Sequence, residues 1–267
     1  MEICDTLGGP HLPSRRKPGM TTSPSEAHSV SPVALVTGAN GGIGKETARQ
    51  LVAAGFTVYV GSRNRERGLA AANDIGGSAR SISLDVTDAV SVAHAVESVG
   101  VLDVLINNAG IMTDSQPPTT ADLESFRRTY ETNVFGVVAV TNAFLPALRR
   151  SLHARIVNIS SGTGSLVWSS GPNPQFDFDT KGGAAAYRSS KAALNALTVF
   201  YAQALAAEGF KVNALAPGLR STNLNARAAG SGGDPSEAAA AAVRLALIGD
   251  EGPSGQLFSW DGTVAPW

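Results

Sequence analysis

Val33-Ala34-Leu35-Val36-Thr37-Gly38-Ala39-Asn40-Gly41-Gly42-Ile43-Gly44 joins a short apolar run to a glycine-rich turn and then to a helical pattern. A strand-to-helix turn built this way lets backbone approach a ligand closely. The helix start then offers unpaired N–H groups and a partial positive charge, which suits a pyrophosphate. The placement of the glycines between strand and helix carries this reading more than their number.

Outward from that turn, β-branched runs alternate with helical patterns. Strands are expected at Val33–Thr37, Thr57–Gly61, Arg80–Leu84, Val101–Asn107, Arg155–Ser160, Lys211–Ala216 and Gln256–Ser259. Helices are expected at Ile43–Ala54, Arg65–Ile75, Ala89–Val99, Leu123–Arg150, Ala186–Glu208 and Glu237–Ile248. This β-α alternation predicts one doubly wound α/β domain, a central parallel sheet of about seven strands with helices on both faces. Residues 1–31, rich in Pro, Gly, Ser and Thr, read as a disordered tail, which leaves 32–267 for the domain.

Composition narrows the function classes. The chain has 267 residues and a net charge of −1, which argues against a nucleic-acid surface. Its one cysteine, Cys4, excludes an internal disulfide framework, and the four dispersed histidines argue against a metal site. No long apolar run predicts a membrane span, and the N-terminus lacks the apolar core of a secretory signal. A cytoplasmic enzyme acting on a small molecule is the expectation.

The second strand ends in Gly61-Ser62-Arg63-Asn64-Arg65. An acidic residue there would bind a ribose 2′-hydroxyl and favour NAD(H). Ser62 and Arg63 stand there instead, and the planar fork of Arg63 suits a 2′-phosphate. NADP(H) is therefore expected over NAD(H). Further along, Tyr187-Arg188-Ser189-Ser190-Lys191 opens a helix and places Tyr187 and Lys191 one turn apart on one face. A lysine ammonium so placed would favour the tyrosinate. Moving a tyrosine from its usual pKa of about 10 towards neutrality needs roughly 4 kcal/mol.

TGANGGIG at 37–44, LDVTD at 84–88, NNAG at 107–110, ETNVFG at 131–136, VNISS at 157–161, YRSSK at 187–191 and PGLRST at 217–222 fall in one order. Together they resemble the short-chain dehydrogenase/reductase family, over roughly residues 32–262. The resemblance implies a Rossmann domain and an NADP-dependent oxidoreductase acting on C=O or CH–OH groups. It implies Tyr187 as catalytic acid and Ser161, the second serine of its motif, as the hydroxyl beside the substrate oxygen. Lys191 would bind the nicotinamide ribose, and Asn133 would hold a water on the proton path; a capping or kink role for Asn133 stays open. Cofactor contacts are implied for Thr37, Gly38, Asn40, Gly42, Ile43 and Gly44 in the turn. Others are implied for Asp85 and Val86 at the adenine edge, and for Asn107, Ala109 and Gly110 beside the ribose. Pro217, Gly218 and Thr222 are implied at the nicotinamide end.

The sequence departs from the commoner family pattern between Ser161 and Tyr187, a stretch about twice the usual length. The extra segment, 165–183, resembles the insert of carbonyl-reductase members, which covers the face used for tetramer assembly. A monomer or dimer is then plausible among homo-oligomeric states. Trp168, Phe176 and Phe178 either contact substrate or anchor the segment to the core. The small-residue stretch Gly218–Asp234 is expected to form a substrate lid. The leading expectation is an NADPH-dependent reductase of a ketone, aldehyde or quinone. The alternatives are an alcohol dehydrogenase running oxidatively and a non-catalytic NADP-binding regulator.

Overall fold

The computed structural model describes residues 31–173 and 181–267. The elements begin β1 (Val33–Val36), α1 (Gly42–Ala53), β2 (Thr57–Ser62), α2 (Arg65–Ile75), β3 (Ala79–Ser83), α3 (Ala89–Glu97) and β4 (Val104–Asn107). Then come α4 (Leu123–Tyr130), a π-helical turn (Glu131–Phe135), α5 (Gly136–Leu148) and β5 (Arg155–Ile159). After a 3₁₀ turn (Gly162–Gly164) follow α6 (Leu166–Ser170), α7 (Ala185–Ala204) and β6 (Lys211–Ala216). The chain closes with α8 (Ala226–Ala229), α9 (Pro235–Ala246), β7 (Leu257–Ser259) and β8 (Val264–Ala265).

The strands form one sheet in the order β3-β2-β1-β4-β5-β6-β7-β8. All pairings are parallel except β7–β8. The eighth strand went beyond the sequence expectation; two residues held by a tight antiparallel turn leave almost no periodic signal. The central strands are apolar throughout because helices cover both faces. On one face Val36, Val58 and Ile106 pack with Leu51 of α1 and Leu245 of α9. On the other, Leu35, Leu105 and Ile156 pack with Phe144 of α5 and Leu205.

The predicted helix over Leu123–Arg150 is found over Leu123–Leu148, but it is not α-helical throughout. Its middle, Glu131–Phe135, is a π-helical turn, an insertion typical of functional sites, which carries Asn133 inward. The segment after Ser161, read as a loop, contains α6, and the expected lid contains α8. Phe176 and Phe178 lie outside the described residues. Among the described residues, no helix is long and apolar enough to cross a membrane.

The switch in strand order falls between β1 and β4. Their carboxyl ends therefore diverge, and a crevice opens beyond them. Side chains cap α2 (Asn64), α3 (Asp88), α4 (Asp122) and α9 (Asp234), each accepting a first-turn N–H. By contrast, α1 starts at Gly41 with no side-chain cap and no acidic residue in its first turn. Its leading N–H groups face the crevice.

Candidate active site

The crevice is a cavity of about 490 Å³ running from the β2 end past the glycine turn to the start of α7. Gly38, Asn40, Gly42, Ile43 and Gly44 line it at the turn. Gly44 has no side chain because Asn108 Nδ2 and the Gly38 carbonyl occupy the space a Cβ would need. Asn108 Nδ2 also donates to the Thr37 carbonyl at 2.9 Å. Thr37 does not line the cavity; its Oγ1 accepts the N–H groups of Asn108 and Ala109, both at 2.9 Å. It braces the turn from behind.

At the β2 end, Arg63 and Arg67 line the cavity with Asp85, Val86 and Thr87. Ser62, expected beside the cofactor, is 1% exposed and faces away, its hydroxyl donating to the Asn64 carbonyl at 2.9 Å. Arg67 was not foreseen. Arg63 precedes α2 and Arg67 lies in its first turn, and the chain's turn into the helix brings both to the cavity.

Ala109 and Gly110 line the cavity after β4, but Asn107 does not. It is 2% exposed, and its amide donates to Thr141 Oγ1 (3.0 Å) and Asn158 Oδ1 (2.9 Å), tying β4 to α5 and β5. Asn133 is likewise fully buried. Its Oδ1 accepts from Ile111 N–H, and its Nδ2 donates to the Ile111 carbonyl, each at 2.9 Å. Nδ2 also donates to Ser190 Oγ at 3.0 Å. The Asn133 side chain is thus committed to holding the segment after Gly110 against α7.

At the far end stand Ser161, Thr163, Tyr187 and Lys191. Ser161 closes β5 and caps the 3₁₀ turn, while Tyr187 and Lys191 share one face of α7. Helix α7 is entered through Ala184, the one non-glycine residue at positive φ (59°) among those described. Ser115 and Gln116 carbonyls hold that entry by accepting the Ala184 and Ala185 N–H groups. Pro217, Gly218 and Thr222 line the wall after β6. Asn225 Nδ2 reaches Met112 Sδ at 3.0 Å across this end, a pairing only the tertiary structure creates. Trp168 is absent from the cavity wall. It packs on Ala214, Ala216, Leu257 and Ala265, so it anchors α6 to the sheet instead of facing substrate.

The short chain dehydrogenase family model matches residues 32–230. The chain belongs to the short-chain dehydrogenase/reductase family. It is 36% identical to the short-chain dehydrogenase anuI of Penicillium roqueforti, over 85% of this chain and 92% of that protein. It is 33% identical to (−)-isopiperitenone reductase of Mentha piperita, over 87% of this chain and 97% of that one. A solved 3-ketoacyl-(acyl-carrier-protein) reductase from Brucella melitensis, complexed with NADH, superposes with a TM-score of 0.73. It shares 26% identity over 85% of this chain and 96% of that one. Like other short-chain dehydrogenases, the protein is an oxidoreductase for C=O or CH–OH groups and binds a nicotinamide cofactor.

The electrostatics of this short-chain dehydrogenase differ from the sequence expectation. Burial pushes the Tyr187 hydroxyl up to about 12, opposed by a hydrogen bond with Ser161. Lys191 does not pull it down. Its Nζ donates to the Ile159 carbonyl at 2.8 Å and lies 5.7 Å from the Tyr187 ring centre. Lys191 is 4% exposed, and burial lowers its own pKa to about 8. Removal from water disfavours both charged forms at once.

A stability consequence follows from Lys191. Its charge opposes folding fully below pH 8, and the cost fades as pH rises from there towards 10.5, where the unfolded lysine also loses its proton. Lys191→Met is expected to raise stability by about 1–2 kcal/mol at pH 7. Urea midpoints should show that gain shrinking above pH 8. An unchanged midpoint at pH 7 would contradict the buried charge.

Proposed function

We propose that this protein is an NADPH-dependent carbonyl reductase in which Tyr187 is the general acid. One observation carries the reading: a single cavity holds the Tyr187–Ser161 hydroxyl pair and Lys191 at one end, and Arg63 with Arg67 at the other. Reductases among its relatives, such as that of Mentha piperita, support the reducing direction.

The residues present fit a phosphorylated dinucleotide. The uncapped start of α1 leaves N–H groups and the positive end of its dipole for a diphosphate. Arg63 and Arg67 would hold a 2′-phosphate, Asp85 and Val86 would flank the adenine, and Ala109 and Gly110 the ribose. Pro217, Gly218 and Thr222 would meet the nicotinamide end. When bound, the cofactor supplies the hydride.

The chain's own residues do the rest. Tyr187 keeps its proton at neutral pH because burial opposes the tyrosinate, so the proton is present when charge develops on a carbonyl oxygen. Ser161 offers its one proton to the substrate oxygen as a donor beside Tyr187. Lys191 Nζ has three donors and gives one to Ile159, leaving two for ribose hydroxyls. Asn133 positions the Gly110–Met112 wall through Ile111, and Thr37, Ser62 and Asn107 keep supporting places behind the cofactor surface.

NADPH oxidation should be detected against a panel of ketones, aldehydes and quinones, and should be slower with NADH. No turnover with any carbonyl would overturn the reading. Arg63→Asp combined with Arg67→Gln is expected to raise the NADPH KM about 10- to 100-fold, since charge-assisted bonds to the phosphate are lost. The NADH KM should change little. Unchanged NADPH selectivity in steady-state kinetics would place the 2′-phosphate elsewhere.

A further inference from the structure

We infer that Thr163 is a positioning residue for the carbonyl reduction, its hydroxyl donating to Ser161 Oγ so that the single Ser161 proton is held towards Tyr187 and the substrate oxygen. This rests on the reductase reading above. Thr163 lines the cavity two residues beyond Ser161 and belongs to none of the catalytic assignments made so far.

Thr163 Oγ1 lies 2.9 Å from Ser161 Oγ, and the Thr163 N–H donates to the same oxygen at 3.2 Å. A serine hydroxyl has two acceptor positions and one proton. With Thr163 supplying both an N–H and an O–H, both acceptor positions are filled. Only the proton is left, and it is free for the end of the cavity that Ser161 shares with Tyr187. The opposite orientation, Ser161 donating to Thr163, takes that proton away from Tyr187. It also leaves the Thr163 proton with no acceptor among the described residues, because Oγ1 makes no other hydrogen bond there.

The result is a chain of donors from Thr163 to Ser161 to the reacting oxygen. Hydrogen bonds in series polarise one another and strengthen the last link, where charge develops. The chain is held from behind. The Thr163 carbonyl accepts from Ser169 Oγ at 3.1 Å, and the neighbouring Gly164 packs directly on the Lys191 backbone. Thr163 therefore sits on a braced turn, in a place where its hydroxyl has one role.

Thr163→Val keeps the shape and the backbone N–H and removes only the hydroxyl. Its kcat for NADPH-dependent reduction is expected to fall about fivefold with an unchanged NADPH KM. Alcohol oxidation needs Tyr187 without its proton. A weaker Ser161 donor makes that state less favourable, so the rising limb of its pH profile should move to higher pH in T163V. Thr163→Ser should restore both kcat and the profile to within about twofold of wild type. Should T163V not fold, Thr163→Ala gives the same comparison. A wild-type kcat and profile in T163V, or a T163S as impaired as T163V, would overturn the inference. Tyr187→Phe separates the two layers. If it retains turnover, the reductase reading falls and this inference with it. If it abolishes turnover while T163V behaves as wild type, only the Thr163 inference falls.

Discussion

Tyr187→Phe is expected to reduce NADPH-dependent carbonyl reduction by about 100- to 10,000-fold, the usual contribution of a positioned acid. The substitution removes one hydroxyl and leaves the ring on α7 one turn from Lys191. Lys191 keeps its bond to Ile159, so the features that would hold a ribose stay in place. Cofactor affinity, read from the change in NADPH fluorescence on binding, should therefore stay close to that of wild type. Ser161 remains capped onto Thr163 and offers the substrate oxygen a hydrogen bond, but it has no comparable means of giving up a proton. Turnover within tenfold of wild type would show that another group is the acid.

Gly164→Ala is expected to be strongly damaging although it touches no reacting group. A Cβ at Gly164 would lie 2.8 Å from both the carbonyl carbon and Cβ of Lys191, and 3.0 Å from its carbonyl oxygen. These are mainly backbone atoms of a 20-residue helix, which has no flexible end to swing aside. Either the turn after β5 or α7 itself must move, at a cost of about 1–3 kcal/mol. The movement separates Ser161 from Tyr187 and Lys191, because Gly164 is where their two elements meet. Urea unfolding and kcat should fall together. An unchanged urea midpoint would mean that the two elements are not in the contact described.

Much of the fold was legible in the sequence, and the reason is local. The helix Arg65–Ile75 and the strand Lys211–Ala216 match their expected bounds, because apolar periodicity and flanking Gly, Asp and Asn act over a few residues. The long helix over Leu123–Arg150 was legible, but its middle is a π-helical turn, where Asn133 bonds Ile111 and Ser190. A period of 3.6 does not report such an insertion. In the site, the motifs located the right loops but did not separate residues that face a ligand from those that brace the loops. Thr37, Asn107 and Asn133 sit in family motifs, and Ser62 ends β2. The structure buries each of them behind the cavity wall; the hydrogen bonds of Thr37, Asn107 and Asn133 join elements far apart in the chain, while Ser62 bonds locally to the Asn64 carbonyl.

Arg67, Thr163 and the Asn225–Met112 contact belong to the other side of that division, since helix phase and chain crossing bring them to the cavity. The sequence by itself determined the alternation of strands and helices, the glycine turn, the absence of an acid beside Arg63, and the Tyr187–Lys191 spacing. Each of these depends on residue type and near neighbours. Only the tertiary structure decided which side chains face the cavity, and that Tyr187 is held near 12 while Lys191 falls to about 8. Those outcomes depend on burial, and burial is set by residues that meet only once the sheet and its helices have assembled.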